Sequence, residues 1–266
     1  RVYQEVVDVS QLLPSMEQFL LEYNAESKSP MNLKLFMDAI KHICRIARVI
    51  RQPMGNALLL GVGGSGRKSL SRLAAYIGDF QLFQVEIAKG YGMAEWRDDI
   101  KSCLLKAGVE DQQVVFLFDD TQIVMSQMLE DINGILNQGD VPNLYPPEDM
   151  EKIMTACRGD CAKRKIAPTK INIFSSFILR VQRNVHVVMC MSPGTPIFRD
   201  RLRMFPSLVN CCTIDWFSEW PDEALRSVGM GIMQEVDLKL GDKLEDVVEL
   251  FKVFHQSVAE KSRKFY

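Results

Sequence analysis

The stretch Gly61-Val62-Gly63-Gly64-Ser65-Gly66-Arg67-Lys68-Ser69 follows the short run Asn56-Ala57-Leu58-Leu59-Leu60 and precedes a helical pattern that reaches Ile77. A short apolar run bounded by glycine reads as a buried strand, so the glycines occupy a strand-to-helix turn. Such a turn has a direct physical use. Glycine lets the backbone curl so that successive N–H groups face one point. The helix start adds its positive dipole end. The stretch therefore predicts a phosphate site; the alternative is a glycine-rich turn with no ligand.

The last three residues qualify that prediction. The phosphate-loop pattern G-x4-G-K-[ST] needs a lysine for the β- and γ-phosphates and a hydroxyl for Mg²⁺. Gly61 and Gly66 have the required spacing, with Gly63, Gly64 and Ser65 between them. Arg67 stands at the lysine position and Lys68 at the hydroxyl position, and Ser69 comes one residue late. One residue on a helix rotates a side chain by about 100°. The cradle is kept while the metal and γ-phosphate groups are altered, and Arg is not a neutral swap for Lys. A valine at Gly66 is expected to crowd the cradle.

Outward from the loop, strands and helices alternate. Further strands are expected at residues 82–88, 114–118, 186–191 and 210–214. Helices are expected at 94–107, 125–136, 149–157 and 170–184, with a long one at 33–51 that Pro53 ends. Strands separated by helices imply a parallel sheet covered on both faces. After Asp215 only helical periods remain, at 222–236 and 244–264. The last pattern meets the chain end with no stop signal, which predicts a longer parent polypeptide.

The chain has 266 residues, 47% hydrophobic and 25% charged, with a formal net charge of -2. That balance offers no general attraction to nucleic acid or to an anionic membrane. No apolar run approaches the roughly 18–20 residues of a membrane helix. Arg1-Val2-Tyr3-Gln4-Glu5 lacks a signal-peptide h-region, and an intracellular chain is expected. The seven cysteines are scattered. Cys157 and Cys161 have no following pair at zinc spacing, so reduced thiols and no metal are expected. His42, His186 and His255 form no cluster in the sequence and read as structural.

A second half-site should lie at the end of a neighbouring strand, where an acid holds Mg²⁺ and another activates water. Val114-Val115-Phe116-Leu117-Phe118-Asp119-Asp120 has that form. Asp119 would reach the metal. Asp120 stands where a catalytic Glu is usual and is one methylene shorter, so it would hold a water poorly. The alternative is two solvated acids that start a turn. Ser192, after the strand at 186–191, is placed to orient water or meet the γ-phosphate. Arg199, Arg201 and Arg203 form either a solvated helix face or a source of an arginine for a neighbouring site.

Several stretches resemble the fourth AAA+ module of axonemal dynein heavy chains. They are Pro30-Met31-Asn32-Leu33, residues 61–73, Asp120-Thr121-Gln122-Ile123, residues 137–144 and Phe198-Arg199-Asp200-Arg201. The most specific is the block 210–220, which begins Asn210-Cys211-Cys212-Thr213-Ile214-Asp215-Trp216-Phe217. The resemblance implies an α/β, P-loop AAA+ three-layer fold with a five-stranded parallel sheet in the order 5-1-4-3-2. It divides the chain into a linker and helix (1–30), the large nucleotide-binding subdomain (31–217) and the start of a helical lid (218–266). It implies a site of Gly61, Gly63, Gly64, Ser65, Gly66, Arg67, Lys68 and Ser69, with Asp119 and Ser69 toward Mg²⁺. Asp120 then matches a degenerate catalytic position and Ser192 the sensor I position. Cys211 stands where several modules carry an arginine finger, and Arg201 is the nearest substitute.

The ligand implied is ATP or ADP. The partners implied are neighbouring AAA+ modules of one ring, microtubules through the parent motor and other dynein chains. The place implied is the cytoskeleton of the cytoplasm and the axoneme of a cilium or flagellum. Three functions follow in order of expectation: a regulatory module that hydrolyses slowly or not at all, a competent P-loop ATPase, and a nucleotide-free ring scaffold.

Overall fold

The computed structural model describes residues 5–236 and 241–265. In chain order, helices α1 (Leu12–Glu26) and α2 (Met37–Ile50) precede strand β1 (Ala57–Leu60). Next come α3 (Arg67–Ile77), β2 (Gln81–Phe83), α4 (Met93–Gly108) and β3 (Val114–Asp119). Helices α5 (Ser126–Gln138), α6 (Pro147–Lys163) and α7 (Lys170–Asn184) lead to β4 (Val185–Met191). Helices α8 (Pro196–Met204) and α9 (Ser207–Asn210) precede β5 (Thr213–Trp216), and α10 (Asp222–Glu235) and α11 (Leu244–Phe265) follow it. The chain forms two compact units, one from Lys41–Phe217 and one from Val6–Ile40 with residues from Ser218 onward.

The first unit contains a five-stranded sheet, in the order β2-β3-β4-β1-β5, with every pairing parallel. Read from the other edge, this is the expected order 5-1-4-3-2. Strands β1, β3 and β4 are buried along their whole length. Continuous apolar runs are what parallel strands covered on both faces require. Asn56 fixes how three strands begin. Its Oδ1 accepts from the Val187 amide at 2.8 Å, and its main-chain carbonyl accepts from the Thr213 amide at 2.8 Å. The core on one face is aromatic: Trp96, Phe116 and Phe118 lie with ring centroids 5.5–6.3 Å apart. Each such ring, fully buried, stabilises by roughly 1.5–3 kcal/mol. The Trp96 indole donates to Asp131 Oδ2 at 2.8 Å, so its polar edge is satisfied.

Several elements differ from the sequence expectation, each for a local reason. Strand β2 stops at Phe83 instead of continuing to 88. The Val85 carbonyl accepts from the Gln122 side chain at 2.5 Å, which draws the chain off the ladder with β3. Helix α2 starts at Met37, not near 33. Both polar groups of the Met31 backbone are held by the Asn24 amide, at 2.7 and 2.9 Å, which favours an extended lead-in. Residues 210–212 are not strand. Pro206 opens the short α9, whose Asn210 amide donates to the Pro206 carbonyl at 3.0 Å, and β5 begins at Thr213. Helix α6 runs past Gly159 to Lys163, because its last turn is held against α7 by the buried Cys161 and by the ion pair of Asp160 with Arg180 at 2.5 Å.

In the second unit, Phe36 and Trp220 meet edge to face at 5.4 Å. Gly229 of α10 lies against Val248 of α11. The buried Lys252 pairs with Glu249 and with Asp222 (3.4 Å), and Arg226 also pairs with Glu249 at 2.8 Å. Among the described residues no helix is long and apolar enough to cross a membrane.

Gly108 ends α4 directly beneath Phe177 of α7; an added Cβ would sit 2.2 Å from the ring. The buried ring has no room to retreat. Gly108→Ala is expected to lower unfolding stability by about 1–3 kcal/mol. Urea denaturation followed by circular dichroism checks this, and an unchanged midpoint would contradict the packing.

Candidate functional site

Strand β1 delivers its C-terminal end between β4 and β5. The Gly61 amide donates to the Met191 carbonyl at 3.2 Å, and the Phe217 amide donates to the Leu60 carbonyl at 2.7 Å. The chain therefore leaves the sheet at a fixed point. Gly61 has no space for a side chain, since a Cβ would lie 2.8 Å from the Phe217 Cβ. Gly64 and Gly66 have φ of +80° and +87°, a region that side chains with a Cβ disfavour. Around Gly63 and Gly64 an added Cβ would find nothing within 4 Å, so the concave side of the turn is open. The constraint at Gly66 is its φ and not crowding, because the nearest neighbour, Leu70, would be at 3.8 Å.

Helix α3 starts at this turn with no side-chain cap. Its first-turn N–H groups have no partner within the helix and carry the positive end of the dipole. The Ser65 hydroxyl is buried and has no partner among the described residues. Open glycines, uncapped amides and an orphan hydroxyl fit an anionic phosphate chain. They surround a cleft of about 350 Å³ lined by residues 63–69, Asp119, Asp120, Thr121, Cys190 and Ser192.

The charged groups of the cleft are turned mostly toward the protein. The Arg67 guanidinium is buried and donates to the carbonyls of Met191 (2.5 Å) and Val62 (3.1 Å). It braces the loop against the end of β4. Lys68 Nζ donates to Asp119 Oδ2 at 3.0 Å. Asp119 Oδ1 accepts from the Thr121 amide at 2.9 Å and from the Thr121 hydroxyl. Burial pushes the Asp119 carboxyl up, but the bonds from Thr121 and Lys68 outweigh it and hold the group below its ordinary value. Asp120 Oδ2 accepts from the Ser192 amide at 2.8 Å, which ties the acid to the end of β4.

These positions do not suit Mg²⁺ in its usual place. Mg²⁺ needs near-octahedral oxygen ligands. Lys68 brings an ammonium where a hydroxyl would be, and Asp119 already holds a cation. Ser69 lines the cleft but follows one residue later on the helix.

The structure thus gathers the sequence candidates 63–69, Asp119, Asp120 and Ser192 around one cleft, with Gly61 at the root of the loop. It does not bring Arg199, Arg201, Arg203 or Cys211 to that cleft. Thr121 and Cys190 line it although sequence reasoning gave them no role. Asp-x-Thr at a strand end is a local turn signal that points to Thr121. Cys190 is opposite Asp119 in the β3–β4 register, a pairing only the sheet reveals. Burial pushes its thiol up to about 12, so it stays protonated.

A sequence family described as the P-loop containing dynein motor region D4 matches residues 31–266. Dynein axonemal heavy chain 1 of Homo sapiens is 48% identical over 262 residues, which cover 97% of this chain and 6% of the relative. Dynein axonemal heavy chain 6 of Homo sapiens is 43% identical over 268 residues, 100% of this chain and 6% of the relative. The Dynein-1-beta heavy chain, flagellar inner arm I1 complex, of Chlamydomonas reinhardtii is 44% identical over 266 residues, again 100% of this chain and 6% of the relative. The chain therefore spans a small part of the length of these proteins.

The Asp119 contacts give a pH prediction. Its folded-state value lies below the ordinary 3.8, so the unfolded chain takes up the proton first as pH falls. The stability it contributes is complete above that ordinary value and is lost as pH drops through the folded one. The stability difference between the wild type and Asp119→Asn should be constant near neutrality and shrink below 3.8. Paired urea titrations across that range measure it; a difference that grows on acidification would contradict the assignment.

Proposed function

The chain belongs to the P-loop containing dynein motor region D4 family, and from that premise we propose that it is the fourth AAA+ module of an axonemal dynein heavy chain. In this reading it holds ATP or ADP as a regulatory ligand and hydrolyses it slowly or not at all. The family is nucleotide-binding, and the open, uncapped glycine turn with its orphan Ser65 hydroxyl supports retention of that property here. The observation that carries the slow-turnover reading is the bond from the Ser192 amide to Asp120 at 2.8 Å. A carboxylate committed to the backbone of the next strand, and shorter than Glu, is poorly placed to activate a water.

Bound nucleotide then sets the geometry of this module against its ring neighbours, and the ring as a whole drives movement along microtubules. Other dynein chains are partners of that parent motor, and the cytoskeleton and ciliary or flagellar axoneme are its place. The names of the relatives, axonemal and flagellar heavy chains, support this location. Residues 218–266 are proposed as the beginning of the helical lid. Arg201, away from the module's own cleft, is proposed to serve a neighbouring site.

The test is titration of the chain with ATP and ADP, followed by phosphate release. Binding is expected, with release far below the roughly 1 s⁻¹ at the lower end of ordinary enzymes. Gly66→Val should abolish binding, because a β-branched residue cannot hold φ near +87°. Asp120→Asn should leave binding and release within about twofold of the wild type. Brisk Mg²⁺-dependent release, or its loss in Asp120→Asn, would establish a working ATPase instead.

A further inference from the structure

We infer that Lys68 is a tethered substitute for the divalent cation, so that this site binds a nucleoside di- or triphosphate without Mg²⁺. The inference rests on the nucleotide-binding reading above and concerns which cation neutralises the phosphates.

Lys68 is on the first turn of α3, where the phosphate chain meets the helix start. Its side chain is half exposed, while that of Asp119 is 6% exposed. The ammonium bonds to Asp119 at 3.0 Å and also lines the cleft. An ammonium has three N–H donors and no acceptor. One is committed to Asp119, which leaves two that can turn to phosphate oxygens. A magnesium ion in this setting links the strand-end acid to the phosphates; Lys68 makes the same link with a single charge and a covalent tether.

The surroundings disfavour a metal in addition. Oδ1 of Asp119 accepts from both polar groups of Thr121, and Oδ2 accepts from Lys68. To reach that carboxylate, Mg²⁺ would have to displace the ammonium and then remain beside a like charge. The protein would also have to supply the oxygen ligand that Lys68, at the hydroxyl position, lacks. The other cation of the cleft, Arg67, is committed to the Met191 and Val62 carbonyls. Lys68 is thus the positive charge of the cleft that keeps donors for a phosphate.

The experiment is calorimetric titration of the chain with ADP and with ATP, in excess Mg²⁺ and separately in EDTA. For the wild type, the dissociation constants in the two media should agree within about threefold. Lys68→Ser removes the ammonium and restores a hydroxyl at the metal position. It should lose more than about tenfold in affinity in EDTA and recover when Mg²⁺ is added. Circular dichroism confirms that the variant, altered at a half-exposed position, is folded. Wild-type binding that falls more than about tenfold in EDTA overturns the tethered-cation role and leaves the nucleotide site standing. Lys68→Ser that binds as tightly as the wild type in EDTA does the same. Absence of binding in both media removes the nucleotide site itself, and the inference with it.

Discussion

The Met191 carbonyl at the end of β4 accepts two hydrogen bonds, from the Gly61 amide at 3.2 Å and from the Arg67 guanidinium at 2.5 Å. A carbonyl has two lone pairs and can serve both. These bonds fix where the chain leaves β1 and where α3 begins, so the shape of the turn between them depends on the sheet. On the other side, Phe217 closes on Leu60 and excludes any side chain at Gly61. The phosphate turn is therefore a product of three adjacent parallel strands, and the glycines permit a curvature that the strands impose. An arginine at the lysine position suits this arrangement. Its planar fork can reach two carbonyls at once, which a compact ammonium does less well.

The same inward turn of charge recurs around the cleft. Lys68 and Thr121 occupy Asp119, and the Ser192 amide occupies Asp120. A group that satisfies a buried or half-buried partner is costly to reassign, because the partner is left unpaired. The polar groups that would drive hydrolysis thus serve as ties between β3, β4 and α3. What remains along the cleft is backbone N–H and the further donors of Lys68. That inventory is what the proposed retention of phosphates, as against their transfer, rests on.

Much of the fold was legible because it rests on short-range patterns. The continuous apolar runs of β1, β3 and β4 announce strands buried on both faces, and the helical periods between them announce crossovers. The sheet order came with the family resemblance. Boundaries were less legible, since they were set by side chains distant in sequence: Gln122 draws Val85 off the sheet, and Asn24 holds the Met31 backbone in the extended lead-in that delays α2 to Met37. In the site, the loop and the acid pair could be read from spacing. The place of Cys190 could not, because its position opposite Asp119 follows only from the register of β3 on β4.

The sequence by itself determined that a strand-to-helix glycine turn of phosphate-loop spacing exists and that its last residues depart from the usual pattern. Glycine spacing and the residue types at 67, 68 and 120 are chemical facts that need no coordinates. Tertiary structure decided what those departures do. Whether Arg67 meets a phosphate or a carbonyl, and whether Lys68 is free or paired with Asp119, depends on which strand ends lie beside the loop. A charge takes the nearest partner that compensates its desolvation, and only the folded sheet determines which partner is near.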